Sequence, residues 1–393
     1  MPTLQFITDV AVLTNVVNEL RHVRRLGLDT EGNGMHAYRN RLCLVQFCVA
    51  DDATPSDTVW VVDALAIESL APLGELLGAN GPELVIHDLA FDARMIAQAG
   101  LTLAGVIDTA LHARYLGLKE TGLGSLLANR FGLQLTKAHQ QDDWARRPLD
   151  DEQLEYLSSD VAYLGPLAAG LVTEAATAGI ASEIAVETDY ALGNALADTD
   201  DATEPAYVRI KGAGELQPLS RAALRELAIV RENAAARADM PVGRVVSNAS
   251  LVALAKQRPR TIHEVRKVGG LYDRGATIAA ELLDALQRAE RAGDVPEDER
   301  ALFSKPKLPS GEFAARRARE NALTAWRRKV ATERNVDAQV VLPGHALNDI
   351  VRAAPGTLDD LASVSGLGAV RVERDGEAML AALREGEAKA REK

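Results

Sequence analysis

Leu28-Asp29-Thr30-Glu31, closing the apolar run 26–28, is the stretch on which the reading of this chain turns. Side chains of a strand alternate between its two faces, so Asp29 and Glu31 point the same way. Two carboxylates on one strand face can form half of a divalent-cation site. Asp-x-Glu also arises by chance at solvated strand ends, so the pair acquires meaning only if other segments bring further acids.

The surroundings read as a mixed sheet covered by helices. Thr8 or Asp9 can cap an amphipathic helix carrying Val12, Leu13, Val16, Val17 and Leu20. Strands are expected at 26–30, 42–50 and 59–63, the second apolar on both faces and therefore buried. A helix at 70–77, a strand at 84–87 and a helix at 91–99 follow. Cys43 and Cys48 lie five apart in one strand, which suits core packing and neither a disulfide nor a metal pair.

With 393 residues, 47% hydrophobic and 4% aromatic, the chain is long enough for two or three domains with ordinary cores. No apolar run reaches bilayer length, and residues 1–9 lack the basic and apolar blocks of a secretory signal, so a cytoplasmic protein without a membrane partner is expected. The net charge of −12 is unevenly spread. Residues 1–200 hold 12 basic against 28 acidic side chains, and residues 201–393 hold 32 against 28. An acidic half suits cations, while the Arg-rich half can offset its repulsion of phosphate. No Gly-Lys dipeptide occurs, which excludes a P-loop and with it a helicase motor.

Further acids do arrive. Asp92 falls in the first turn of the helix after the fourth strand, where the helix dipole favours a carboxylate, although spacing alone does not choose it over Asp88. Asp150 with Gln153 forms a capping-box pattern behind Pro148. In the helix it starts, Leu154, Leu157, Val161 and Leu164 make the buried stripe, and Tyr156 and Asp160, one turn apart, share another face.

Asp-x-Glu on an early strand, an acid at a helix start and Tyr-x-x-x-Asp on a late helix resemble the three exonuclease motifs of the DEDD superfamily, tyrosine subgroup. His87 with Asp92, Ile107-Asp108-Thr109, Gly122-Leu123-Gly124-Ser125-Leu126, Asp143-Trp144-x-x-Arg147-Pro148-Leu149 and Asp160-Val161-x-Tyr163-Leu164 follow the order and spacing of the ribonuclease D family. The resemblance covers roughly residues 1–175 and implies a ribonuclease-H-like α/β domain. It implies two divalent cations, Mg²⁺ or Mn²⁺, held by Asp29, Glu31, Asp92 and Asp160, with Asp29 bridging, and Tyr156 orienting the attacking water. The reaction would be 3′ to 5′ hydrolysis of RNA, releasing nucleoside 5′-monophosphates and maturing the 3′ ends of tRNA precursors and other structured RNA. Lys137 and Arg147 are placed to contact phosphates, with an Arg147–Asp143 pair an equal reading. His87 and Trp144 read as packing residues. After Glu31 the chain departs from the family, with Gly32-Asn33-Gly34-Met35-His36 where an apolar residue is usual, which leaves the edge of the substrate cleft open.

The acidic stretch 198–205 reads as a linker, and beyond it lies a repeat. A shift of 96 residues aligns 230–271 with 326–367 without a gap, matching Val245 to Val341, Leu251 to Leu347, Pro259 to Pro355, Thr261 to Thr357 and Gly270 to Gly366. Both copies resemble the HRDC domain, an all-α module that assists nucleic-acid binding. The expected organisation is an exonuclease domain at 1–197, a linker at 198–215, HRDC-like domains at 216–292 and 313–390, and a second linker at 293–312. Arg316, Arg317, Arg319, Arg327, Arg328 and Lys329 make the second copy's first helix the most basic stretch, and Arg316, Arg327 and Arg328 are its candidate RNA contacts. The alternatives are the same chemistry on DNA, or a non-catalytic RNA-binding protein on a nuclease scaffold. A monomer is expected.

Overall fold

The structure is a computed structural model that describes residues 2–135, 138–197, 204–268, 271, 276–303 and 311–391. Lys137, the start of the expected linker at 198–203, Gly270 and residues 304–310 of the second linker lie outside the described residues.

Six strands form one mixed sheet: β1 (Thr3–Ile7), β2 (Arg25–Gly32), β3 (Leu42–Val49), β4 (Thr58–Asp63), β5 (Glu83–Ile86) and β6 (Val106–Asp108), in the order β1-β4-β3-β2-β5-β6. β2 sits inside the sheet, antiparallel to β3 and parallel to β5. The sequence reading missed β1, which is short and mostly exposed, and β6, which has only three residues. Helix α1 (Val10–Leu20) starts at Asp9, whose side chain accepts the amides of Ala11 and Val12. It buries Leu13, Val16, Val17 and Leu20, while Val12, expected on the same stripe, is exposed. A short helix α2 (Gly74–Leu77) completes the segment expected at 70–77, after a 3₁₀ turn at Ala71–Leu73.

Six further helices follow: α3 (Ala90–Gln98), α4 (Thr109–Tyr115), α5 (Leu123–Phe131), α6 (Asp151–Ala162), α7 (Leu164–Thr177) and α8 (Ala181–Ala197). One face of the sheet, with Leu26, Leu28, Val45 and Phe47, packs against residues of α1 and α3. The other, with Leu44, Cys48, Val59 and Val61, receives Leu157 and Val161 of α6. Both cysteines are buried and free. The approach of α6 and α7 depends on two glycines. A Cβ on Gly27 would stand 3.1 Å from Cys48 Sγ and 3.2 Å from the Val161 carbonyl, and one on Gly165 only 2.3 Å from the Asp51 carbonyl.

The helical half repeats at the expected interval. Helices Val242–Val245, Asn248–Gln257 and Ile262–Lys267 recur as Ala338–Val341, Gly344–Ala353 and Leu358–Ala362. The left-handed residues Asp239 and Arg258 recur as Asn335 and Ala354, and Thr261 and Thr357 cap equivalent helices. Left-handed backbone at a residue with a side chain is unfavourable, so its recurrence marks a shared chain path. Part of the stretch expected as a linker is packed: Tyr207, Ile210 and Ala213, with Leu216 just beyond it, are buried in the first copy's core. Their three-residue spacing, the period of a 3₁₀ helix, places apolar groups on one side of the segment that holds two 3₁₀ turns, Ala206–Arg209 and Ala213–Glu215.

Both copies touch the α/β domain. Arg41 pairs with Asp239 of the first at 2.8 Å. The second docks on α8, where buried Glu183 takes Arg374 at 2.6 Å and Arg334 at 3.1 Å, and Ile180 and Ile184 pack on Val340.

We expect Gly165→Ala to destabilise the protein by about 1–3 kcal/mol, since the methyl group meets backbone and cannot be accommodated by rotating a side chain. Urea unfolding compared with the wild type measures it, and an unchanged midpoint would mean that α7 does not lie against the 50–51 backbone.

Candidate metal centre

Asp29 and Glu31 stand on the face of β2 that α6 covers, and contact between Cys48 Sγ and the Val161 carbonyl, 3.3 Å apart, pins the last turn of that helix to the sheet. Asp160, next to Val161, is thereby carried over the strand pair. One carboxylate oxygen from each of Asp29, Glu31 and Asp160 lies within 4.8 Å of the other two. The three are half-buried at one end of a cleft of about 610 Å³.

Asp92 arrives differently. It sits in the first turn of α3, is buried, and accepts a hydrogen bond from Thr30 Oγ1 at 2.6 Å. Thr30 points to the opposite face of β2 from its neighbours, so Asp92 is near the cluster without joining the three-oxygen group. Asp88, the rival by spacing, has a left-handed backbone, and its amide donates to Asp108. Asp108 is a residue that the sequence reading left without a role. Its carboxylate accepts the amides of Asp88, Leu89, Ala110 and Leu111, tying the start of α3 to the start of α4. The motif Ile107-Asp108-Thr109 was its only signal.

Tyr156 is buried one helical turn from Asp160, and burial followed by the charges of Asp160 and Glu31 pushes its hydroxyl pKa well up. Asp150 and Gln153 form the expected capping box at the start of its helix. Trp144, 1% exposed, stacks on the Tyr156 ring at 5.8 Å, as its packing role requires. His87 lines the cleft, with Nδ1 2.8 Å from Thr109 Oγ1, and burial holds its pKa low. His139 and Asp142 also border the cluster and were not anticipated, because they precede the recognisable Asp-Trp-x-x-Arg-Pro segment.

The phosphate contacts expected from the sequence fare less well. Arg147 directs its guanidinium inward: Nε and Nη2 donate to the two oxygens of buried Asp63 at 2.5 and 2.7 Å, and Nη1 donates to the Trp144 carbonyl at 2.8 Å. Burial works against the Asp63 anion, but the Arg147 hydrogen bonds and charge outweigh it and hold the carboxyl below its usual range. Asp143 pairs with Arg146 at 3.5 Å instead. On the basic helix Glu312–Arg334, Arg319 is buried against Glu312, Glu387 and the Val351 carbonyl. Arg327 turns inward to the Ala338 carbonyl, and Arg316 pairs with Glu312 at 3.2 Å. Of the three candidates on that helix, Arg328 alone is exposed. Helical periodicity rotates alternate basic residues into the packed side, which a count of charges does not register.

Burial and mutual repulsion push the clustered carboxyls upward. Asp29 is raised well above its ordinary range by burial and by Asp92, Glu31 and Asp160, and Glu31 is raised to about 9 by burial and then by Asp160, Asp92 and Asp142. Burial raises Asp92 to about 7 and Asp160 to about 6. Such a set, all oxygen donors with neither His nor Cys among them, fits a hard divalent cation, whose charge would relieve the repulsion.

This fold and acid cluster define a class, a 3′–5′ exonuclease with helical accessory domains. Residues 4–175 match the 3′-5′ exonuclease family, and residues 220–285 and 316–383 each match the HRDC domain. The chain is 30% identical to ribonuclease D of Zymomonas mobilis over 308 residues, 74% of each chain, and 28% identical to that of Haemophilus influenzae over 310, 78% of this chain and 76% of the relative. The crystal structure of Escherichia coli RNase D superposes with a TM-score of 0.72 at 24% identity, covering 98% and 99% of the two chains. The chain belongs to the ribonuclease D family and is an exoribonuclease. Among the described residues, no helix is long and apolar enough to cross a membrane.

The raised carboxyls make the metal-free protein's stability fall with pH. Unfolded, these groups ionise near pH 4. Folded, they keep their protons up to between about 6 and 9, so the folded state binds more protons across that window and loses stability as it is deprotonated. In chelator, the Tm should drop between pH 6 and pH 9, and Glu31→Gln should flatten the drop. A Tm that rises over this range would contradict the clustering.

Proposed function

We propose that Asp29, Glu31 and Asp160, with Asp92, hold two divalent cations, Mg²⁺ or Mn²⁺, and that the protein trims the 3′ ends of structured RNA such as tRNA precursors, releasing nucleoside 5′-monophosphates. The observation that carries this is the meeting of three carboxylate oxygens within 4.8 Å in a cleft that Tyr156 also lines. When bound, such ions supply an activated water, charge neutralisation at the phosphate and stabilisation of the leaving oxygen. The chain's own residues do the positioning. Asp29 and Glu31 are held by the ladder of β2 with β3, opposite Gln46 and Leu44, just beyond the Gly27–Val85 pair where the ladder with β5 ends. Tyr156, one turn from Asp160 and lining the same cleft, is the group we assign to orient the attacking water. The cleft beside them is open enough for a single-stranded 3′ end, and a metal set between carboxylates favours a phosphodiester over a neutral substrate.

The domain limits we adopt are 1–197, 216–292 and 313–390, within which the family matches fall, and Tyr207, Ile210, Ala213 and Val295 pack onto the first helical unit from the flanking stretches. We place the enzyme in the cytoplasm as a monomer. For RNA binding, the first HRDC copy carries the freer cations. Lys256, Arg260, Arg266 and Lys267 are exposed, and none forms an ion pair among the described residues. The second copy's arginines are largely taken up by packing and by docking on α8.

Asp29→Asn should lower Mg²⁺-dependent trimming of a 3′-tailed RNA by about a thousandfold, the several kcal/mol that metal assistance contributes. Its metal-free RNA affinity should stay within twofold, and retained activity would remove Asp29 from the site. Replacing Arg260 and Lys267 together by Gln should weaken RNA binding and reduce the slope of log K against log salt by about two. An unchanged slope would move the RNA to another surface.

A further inference from the structure

Tyr156 is held by more than its own helix. Trp144 covers one ring face, and His139 meets the ring edge-on, with centroids 5.8 Å apart and the planes at 61°. His139 is itself fixed: Nδ1 lies 2.8 Å from Asp142 Oδ2, and its side chain is 12% exposed. The same oxygen of Asp142 accepts Gln153 Nε2 at 2.8 Å. Gln153 is the third residue of α6 and closes the capping box by accepting the Asp150 amide on its other amide atom, Oε1. One side chain therefore both caps the helix that carries Tyr156 and ties that helix to the turn that carries His139. The His36 ring, with Nε2 2.8 Å from the Gln141 carbonyl, secures the turn from the side of β2.

Asp142 is costly where it stands. It lines the cleft with Asp29, Glu31 and Asp160, adds to the repulsion on Glu31, and faces the space a phosphate backbone has to enter. A carboxylate in that place without a task would be a disadvantage in a site that receives an anion. Its hydrogen bonds from His139 and Gln153 show what it does instead.

We propose that His139, held through Asp142 by Gln153, is a positioning residue for Tyr156: it fixes the ring so that the hydroxyl stays beside the acid cluster. This rests on the role given to Tyr156 above. His139 touches no reacting atom and acts only through that ring. Small displacements of a positioned group lower the rate by up to about a hundredfold, so the effect should fall on kcat and leave substrate affinity alone.

The test is a double-mutant cycle on the full-length enzyme with saturating Mg²⁺ and a 3′-tailed RNA, using His139→Ala, Tyr156→Phe and both together. His139→Ala should lower kcat by about tenfold, with KM changed less than twofold. In the Tyr156→Phe background the same change should cost less than twofold, because the hydroxyl it positions is already gone. Asp142→Asn, which preserves the shape of the turn, should lower kcat in the same direction and be equally silent in that background. It carries the test if His139→Ala proves unstable in thermal unfolding. Equal losses in both backgrounds, or a loss confined to KM, would overturn the inference. A Tyr156→Phe variant with wild-type kcat would instead overturn the catalytic reading of Tyr156 itself.

Discussion

Like charges forced together are the constraint on which this structure depends. Asp29, Glu31 and Asp160 repel one another in a half-buried setting, and nothing in their own chemistry brings them within 4.8 Å. The apolar contact beneath them does. Leu157 and Val161 settle on Cys48, Val59 and Val61, and Gly27 leaves the room that lets the helix come down so close. Hydrophobic burial, at roughly 25 cal/mol per Å² of apolar surface removed from water, is non-directional and tolerates the electrostatic cost that the site imposes. The site is thus a destabilised region held by a stable one, and a cation is the natural counterweight.

The supports of the acids are arranged in tiers. β2 presents two of them from a strand inside the sheet, where pairing with β3 fixes their backbone. Asp108 gathers four backbone amides so that α3 and α4 begin at fixed positions, which sets where Asp92 enters. Arg147 and buried Asp63 clamp the segment that leads into α6, and Trp144 fills the space under Tyr156. Removing one partner of a buried pair such as Asp63–Arg147 leaves an uncompensated charge, so these groups serve geometry more than net stability.

The two helical copies share a backbone path and differ in electrostatic use. Residues 96 apart adopt the same left-handed turns and, at Thr261 and Thr357, the same helix cap, yet the second copy spends Arg334, Arg371 and Arg374 on α8, where buried Glu183 accepts two of them through its carboxylate. The first copy touches the α/β domain more lightly, through Asp239 with Arg41 and the Tyr38 amide, and leaves Lys256, Arg260, Arg266 and Lys267 exposed while Arg221, Arg225, Arg237 and Arg288 form ion pairs. Duplication supplied one scaffold, and side-chain substitution turned one copy toward docking and the other toward solvent.

Much of this was legible in the chain itself. Strand alternation put Asp29 and Glu31 on one face, and the capping box at Asp150 and Gln153 and the one-turn spacing of Tyr156 and Asp160 were local patterns that the fold preserved. The 96-residue repeat survived to the level of single dihedral angles. These features depend on neighbours a few residues away or on self-similarity, both of which a sequence displays. What only tertiary structure decided involved partners far apart: Arg147 with Asp63 across 84 positions, Thr30 with Asp92 across 62, and Glu183 with Arg374 across 191. No periodicity announces such pairs, because a side chain's direction after folding is set by the packing of whole elements. For that reason the basic helix read as a binding surface and folded with Arg319 and Arg327 facing inward, and the hydrogen bond from Thr30 that holds Asp92 beside the cluster had no sign in the sequence.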